Sequence, residues 1–362
     1  MSTTTSLGPE DAILSESAEA AGASRALRVW IGLLAALVMA MVVVGGATRL
    51  TGSGLSITEW RPVTGAVPPL SEPAWQAEFE KYRQSPQYQI QNAGMTLPEF
   101  KEIYWWEWSH RQLGRAIGVV FGVGFLLFAG AGALRGRVLL AVGGLGLLGG
   151  LQGAIGWIMV KSGLQPGMTA VAPLKLMLHL VTASLIFSGL IAVLVELRGA
   201  RSAEFAPSGV RRGAAILLGI VLLQIALGAL VAGSKAGLVY NTWPLIDGHV
   251  LPAWDQLVFV QPVVENLVDN HLTVQFNHRM VAYLLFALAF WHAWSTVREQ
   301  ASDKVRRRAM AVAGLVAAQA GVGIATLLAQ VPLGLALLHQ GVAMLVLAMA
   351  TVHWRLTRKA EA

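Results

Sequence analysis

What most limits the folds open to this chain is the recurrence of long apolar runs. They lie at about 29–47, 104–130, 138–160, 172–197, 212–233, 272–296, 309–330 and 332–354, each long enough for a helix to cross the ~30 Å hydrocarbon layer of a bilayer. In lipid every backbone N–H and C=O needs a partner inside the protein, and a helix supplies those partners within one segment. The expected fold is therefore an all-α polytopic membrane protein with eight transmembrane helices. Composition agrees, since 55% of the 362 residues are hydrophobic and 13% charged, too apolar for a soluble domain. Glycine runs such as GGLGLLGGLQGAIG at 143–156 let helices approach closely where lipid gives no hydrophobic drive for association.

The net charge of +7 raises the question of a nucleic-acid partner, and the placement of the basic residues argues against one. Sixteen of the 27 Lys and Arg fall before the first run, after the last, or in alternate connections: Arg25, Arg28, Arg135, Arg137, Arg198, Arg201, Arg211, Arg212, Arg298, Lys304, Arg306, Arg307, Arg308, Arg355, Arg358 and Lys359. By the positive-inside rule these segments face the cytoplasm, so both termini are expected there. Residues 1–28 form a cytoplasmic tail whose first 24 positions are polar and include Glu10, Asp11, Glu16 and Glu19, unlike a signal or transit peptide. A bacterial inner membrane is the simplest location, with lipid as the surrounding partner. No cysteine is present, so a metal would be held by nitrogen, oxygen or Met ligands.

The chain reads as one half repeated. The outward connections alternate long and short, and the residues at matching places agree: GGATRLTGSGLSITEWRPVTGAVPPL after the first run against GALVAGSKAGLVYNTWPLIDGHVLP after the fifth, EWSHR at 107–111 against QFNHR at 275–279, LMLHLVTA against LALLHQGVA. A Gln four residues before a Gly recurs as Gln152/Gly156, Gln224/Gly228 and Gln319/Gly323. Four spans per half means that both halves enter from the same side, as parallel repeats do. Two pseudo-twofold-related four-helix bundles are expected, at 29–200 and 201–362.

Four of the eight histidines occupy matching places: His110, His179, His278 and His339. Each lies roughly six to eight residues inside the outward end of its apolar run, near the periplasmic side. One such residue alone is often only a hydrogen-bonding group; four in register point to function, because ionisable groups within a membrane usually mark it. Two imidazoles on facing helices of a bundle form an axial site for heme iron, pairing His110 with His179 and His278 with His339. Copper is the competing metal, but two ligands alone hold it loosely. Arg111 and Arg279 follow two of the histidines and can bind propionates, as can Arg115 and Lys175; the alternative is that these cations snorkel to headgroups. His249 and His271 belong to an outer connection, and His292 and His353, near inner helix ends, are expected to be solvated or interfacial.

The halves differ three residues before the second-span histidine, where Glu107 stands opposite Gln275. Positions i and i+3 share a helix face, so Glu107 should point at whatever His110 binds, and a carboxylate can exchange a proton where an amide cannot. On this asymmetry the first half transforms a substrate and the second holds a permanent cofactor. The competing reading of Glu107 is an ion pair with Arg111 or Arg115.

These motifs together, TRLTGSGLSITEWRPVTG, EWSHRQLGR, LMLHL, FNHR and LALLHQ, resemble the heme A synthase family over essentially the whole chain after the tail. The resemblance implies an oxidoreductase that converts the C8 methyl group of heme O to a formyl group by successive hydroxylations, with water as oxygen source, giving heme A for terminal oxidase assembly. It implies heme O bound by the N-terminal half, with Glu107, His110 and His179 on the substrate side, and heme b held by His278 and His339. Implied partners are heme O synthase, terminal oxidase assembly factors and an electron acceptor whose identity stays open, as does a homo-oligomer. Cysteine pairs found in some bacterial members are missing, which places the likeness with the cysteine-free proteobacterial and mitochondrial branch. A bis-His cytochrome b-type electron carrier would set its histidines at two depths, and a parallel-repeat transporter would break its helices near the midplane.

Overall fold

The computed structural model describes residues 9–198 and 205–357, with side chains from residue 25 onward. Arg201, Arg358, Lys359 and the boundary placed at 200/201 lie outside them, as do the side chains of Glu10, Asp11, Glu16 and Glu19. Among the described residues eight helices are long and apolar enough to cross a membrane: α1 (Pro9–Leu50), α2 (Leu97–Gly130), α3 (Gly136–Gly163), α4 (Pro173–Leu197), α5 (Ser208–Gly233), α6 (His271–Arg298), α7 (Asp303–Leu328) and α8 (Leu333–Thr357). No strand occurs among the described residues. The tail and the first span are one continuous helix from Pro9.

Helix α2 begins seven residues before its apolar run. Thr96 and Glu99 form a capping box, with the Glu99 carboxylate accepting from the Thr96 N–H and hydroxyl, both at 2.7 Å, and Pro98 suits the first turn. His110 therefore lies about two turns further into its helix than His179, His278 and His339 do into theirs. Helix α6 is capped by Asn270, whose side chain accepts from the N–H groups of Leu272 and Thr273.

In the first half α1 packs on α2 and α4, and α3 on α4. In the second, α5 packs on α6 and α8, α6 on α7, and α7 on α8. The halves meet through α4 against α5, α1 against α8, and α4 against α8. One continuous apolar core runs through both, including Ile31, Leu34, Phe187, Leu217, Ala289, Val312 and Leu347. Polar pairs cross the seam: Gln340 Nε2 donates to the Val42 carbonyl at 2.7 Å, Ser188 and Thr351 share a 2.8 Å bond, and Arg355 meets Glu196 at 2.6 Å. Among the described residues the halves differ most in that α2 and α3 touch sparsely, whereas their counterparts α6 and α7 pack closely.

The first outer connection folds on itself. Helices Glu72–Arg83 and Pro86–Ile90, started by Ser71 and Ser85 hydroxyls that accept from the Ala74 and Tyr88 N–H groups, close an aromatic cluster of Trp75, Phe79, Tyr82, Phe100 and Tyr104.

Candidate functional site

Each histidine of the expected set sits in a socket formed by the preceding helix. A Cβ built on Gly45 would come within 3.0 Å of His110, on Gly156 within 2.9 Å of His179, on Gly228 within 3.1 Å of His278, and on Gly323 within 2.7 Å of His339. At Gly156 and Gly323 a real Cβ would not fit, and at Gly45 and Gly228 it would press the ring back by a few tenths of an ångström, so glycine lets each imidazole lie against its neighbour's backbone. The recurring glutamines serve the same sockets. Gln152 Nε2 donates to the His179 carbonyl at 3.0 Å, Gln224 Nε2 to that of His278 at 3.1 Å, and Gln319 Nε2 to that of His339 at 3.0 Å. The repeating Gln and Gly, visible in the sequence as a spacing without a role, hold the backbone and the ring of one histidine each.

These sockets set His110 on α2 and His179 on α4 in the first half, and His278 on α6 and His339 on α8 in the second. Around them buried polar atoms stand without a partner: His179 Nδ1, His339 Nδ1, the amide oxygens of Gln152, Gln224 and Gln319, and Arg279 Nε. Buried groups are ordinarily satisfied, so such a cluster fits a site built around a further polar group. Among the described residues no set of three or more His, Asp or Glu could hold a bare ion. Paired imidazoles with a nearby guanidinium suit a porphyrin, whose iron needs two axial ligands and whose propionates need donors.

The structure gives Glu107 the ion pair that was its alternative reading. The carboxylate is 2% exposed. One oxygen accepts from Arg111 Nε at 3.0 Å and Nη2 at 2.5 Å; the other accepts from the Ser56 hydroxyl at 2.8 Å and the Ile57 N–H at 2.7 Å. Arg111 also donates to the carbonyls of Ile57 and Glu59. Glu107 and Arg111 thus clamp the GLSITEW segment over the outer end of α2. The second half repeats the clamp with an amide: Gln275 accepts from Arg279 at 2.6 Å and donates to the Ala236 carbonyl at 2.8 Å, while Arg279 donates to the carbonyls of Tyr240 and Leu245.

Arg111 and Arg279 each donate to two loop carbonyls as well as to the acidic or amide side chain one turn before them, and Arg115 donates to the Arg61 and Pro62 carbonyls and to Gln112. Arg279 Nε has no hydrogen-bond partner, and the Lys175 ammonium makes no hydrogen bond or ion pair with a described residue.

Two histidines depart from expectation. His292 and His353, expected to be solvated or interfacial, are 3% and 1% exposed and share a 2.8 Å bond between their Nε2 atoms. Each lies fourteen residues beyond a socket histidine on the same helix, roughly 21 Å towards the inner face, and the α6–α8 proximity that joins them is a tertiary fact no local pattern carries. His249 and His271 are exposed, as expected.

The profile of a family described as cytochrome oxidase assembly protein, COX15-CtaA, matches residues 28–351. A heme A synthase of Methylobacterium radiotolerans is 60% identical over 337 residues, covering 92% of this chain and 91% of that protein. One from Azorhizobium caulinodans is 55% identical over 334 residues, 92% and 95% of the two chains, and one from a Bradyrhizobium species is 52% identical over 331 residues, 90% of each.

Proposed function

The chain belongs to the COX15-CtaA family of cytochrome oxidase assembly proteins, and on that premise we propose that it is a heme A synthase, an oxidoreductase of the bacterial inner membrane that acts on heme O. In this reading the C8 methyl group becomes a formyl group, RCH3 + H2O → RCHO + 4 H+ + 4 e−, with water supplying the oxygen and the electrons leaving to a separate acceptor. The first half binds heme O between His110 and His179. The second holds heme b between His278 and His339, with Arg279 Nε facing a propionate. Heme b, when bound, supplies a one-electron carrier beside the substrate half. A pseudo-twofold axis relates the halves, a reading that the exchange of α4–α5 for α8–α1 contacts supports. Heme O synthase would supply the substrate and terminal oxidase assembly would consume the product.

What this chain's own residues do follows from their contacts. Glycine and glutamine sockets fix the height and ring direction of each histidine. The Glu107–Arg111 clamp folds the outer loop over the first site and keeps bulk water from it. Glu107 is the one buried carboxylate a helical turn from a socket histidine, and in this reading it takes up protons released at the methyl carbon.

The observation that carries the assignment is the fourfold socket combined with the Glu107/Gln275 difference. It also defines a clean test. Gln275 performs the clamp in the second half, so Glu107→Gln should preserve the loop contacts and remove only the ionisable group. Cells supplying heme O and carrying Glu107→Gln should contain the folded protein with its second-half heme but no heme A. Unchanged heme A would reduce Glu107 to the clamp alone.

A further inference from the structure

The sparse contact between α2 and α3 has a defined shape. Towards the inner face the helices meet where Phe121 lies against Gly146, so closely that a Cβ there would stand 2.3 Å from the ring, and Phe125 lies 3.8 Å from the same point on Gly143. At the outer end Trp60 of the clamped loop reaches α3, its ring 6.2 Å from that of Trp157, while Gln112 and Arg115 tie the same loop to α2. Between this sill and this lintel, about 16 Å apart on α3 at 1.5 Å per residue, glycines recur on both helices. Gly146, Gly150, Gly153 and Trp157 share one face of α3; on α2 the outer part of the stripe lies against α1, with His110 at Gly45 and Gly114 near Met41, and the stripe opens at Gly118 before Phe121 closes it. A Cβ on Gly118, Gly150 or Gly153 would meet nothing within 4 Å, and one on Gly114 only the Met41 methyl at 3.3 Å.

The other half is the internal control, because the same membrane surrounds both. Aligned on the paired histidines, the counterparts of Gly114 and Gly118 are Ala282 and Phe286, the latter exposed on the outside of α6; aligned on the Gln–Gly pairs, those of Gly150 and Gly153 are Ala317 and Ala320. There α6 and α7 pack closely, and at the sill level Ala289 and Ala313 are buried. Among the described residues, the sparse contact between these two helices therefore belongs to the half assigned to substrate.

Resting on the functional reading above, we infer that the α2–α3 gap is a lateral window to the lipid through which heme O enters the first half and heme A leaves. The closed α6–α7 seam retains the second-half heme. The substrate carries a long prenyl chain, and withdrawing apolar chain into water costs about 0.8 kcal/mol per CH2. A path that stays in lipid avoids that cost, and the loop roofed over the outer end blocks the aqueous alternative.

The chain's lack of cysteine makes a post-folding block specific. Gly150→Cys, purified and then labelled with a bulky thiol reagent, should take up heme O from loaded vesicles ~10-fold or more slowly than the same protein unlabelled, as binding does when its path must first clear. Gly118→Phe, which puts a bulky ring where a Cβ meets nothing within 4 Å, should act alike without chemistry. In both, second-half heme content and single-turnover conversion of heme O bound beforehand should be unchanged. Uptake as fast as in the unmodified protein would overturn the window, and so would a parallel loss of prebound turnover, which would put these positions in the site itself. If the unmodified protein neither takes up nor converts heme O, the functional reading fails first.

Discussion

Replacing Gly323 by Ala should loosen the second-half heme while leaving the helices intact. The added methyl would stand 2.7 Å from His339 Cε1, against a comfortable carbon–carbon contact of about 3.5–4.0 Å. The ring must retreat by roughly 0.8 Å or more, and α8 cannot follow freely because Gln319 holds the His339 carbonyl. Overpacking of this kind costs about 1–3 kcal/mol, which at ~1.4 kcal/mol per decade corresponds to heme held about five- to 150-fold less tightly. Alanine is the better helix former by about 1 kcal/mol, so loss of the helix would not account for the effect. Gly228→Ala supplies the graded comparison, since its methyl would stand 3.1 Å from His278 and ask for roughly half the movement. The assay is heme per polypeptide by pyridine hemochrome, with the rate of heme transfer to a scavenging acceptor. Equal retention in Gly323→Ala and the parent, or greater loss in Gly228→Ala, would refute the socket.

Gly124→Ala should destabilise the first half by about 2–4 kcal/mol, combining overpacking with a lost hydrogen bond: the methyl would collide with the Trp30 indole, whose Nε1 donates to the Val120 carbonyl at 2.9 Å, and a lowered unfolding midpoint in detergent would show it. The outer loop should have an alkaline limit. Burial pushes the Tyr82 phenol above its ordinary value of 10.0, assisted by the Glu107 and Tyr88 charges and opposed by the Asn92 hydrogen bond. The folded loop keeps the proton that an unfolded one releases, so this contribution is intact below pH ~10 and declines above it. Tryptophan fluorescence of the loop should report that decline, and Tyr82→Phe should remove it; an identical alkaline limb in the variant would assign the limit to another group.

Much of this was legible beforehand, for reasons that differ by element. Hydropathy located the eight spans because lipid demands contiguous apolar length, but it misjudged where α2 begins, since the Thr96–Glu99 box starts that helix in polar sequence. The four histidines were legible through the repeat. Their glycines were visible only as a spacing, because a socket joins residues of two helices and no single-helix pattern states which glycine faces which ring. The ion pair of Glu107 was foreseeable from its i+4 arginine, whereas the engagement of Arg111 and Arg279 with loop carbonyls depended on how the long loops fold back. The helices of the first loop, short and polar, carry no membrane-scale signal, and their aromatic cluster assembles residues from 75 to 104.

Three of the four socket histidines have their carbonyl tethered by a glutamine; the fourth, His110, faces α1, where Met41 occupies the place four residues before Gly45. A thioether accepts weakly and donates nothing, so α2 has one amide tie fewer to its neighbour than α6 has, worth ~1 kcal/mol. Mechanically the second half has a glutamine brace at both histidine posts, and the first has one at α4 alone. A force that pries His110 from its partner meets less stiffness than one applied to any of the other three, so the first half yields along α2, the helix that also forms one jamb of the opening.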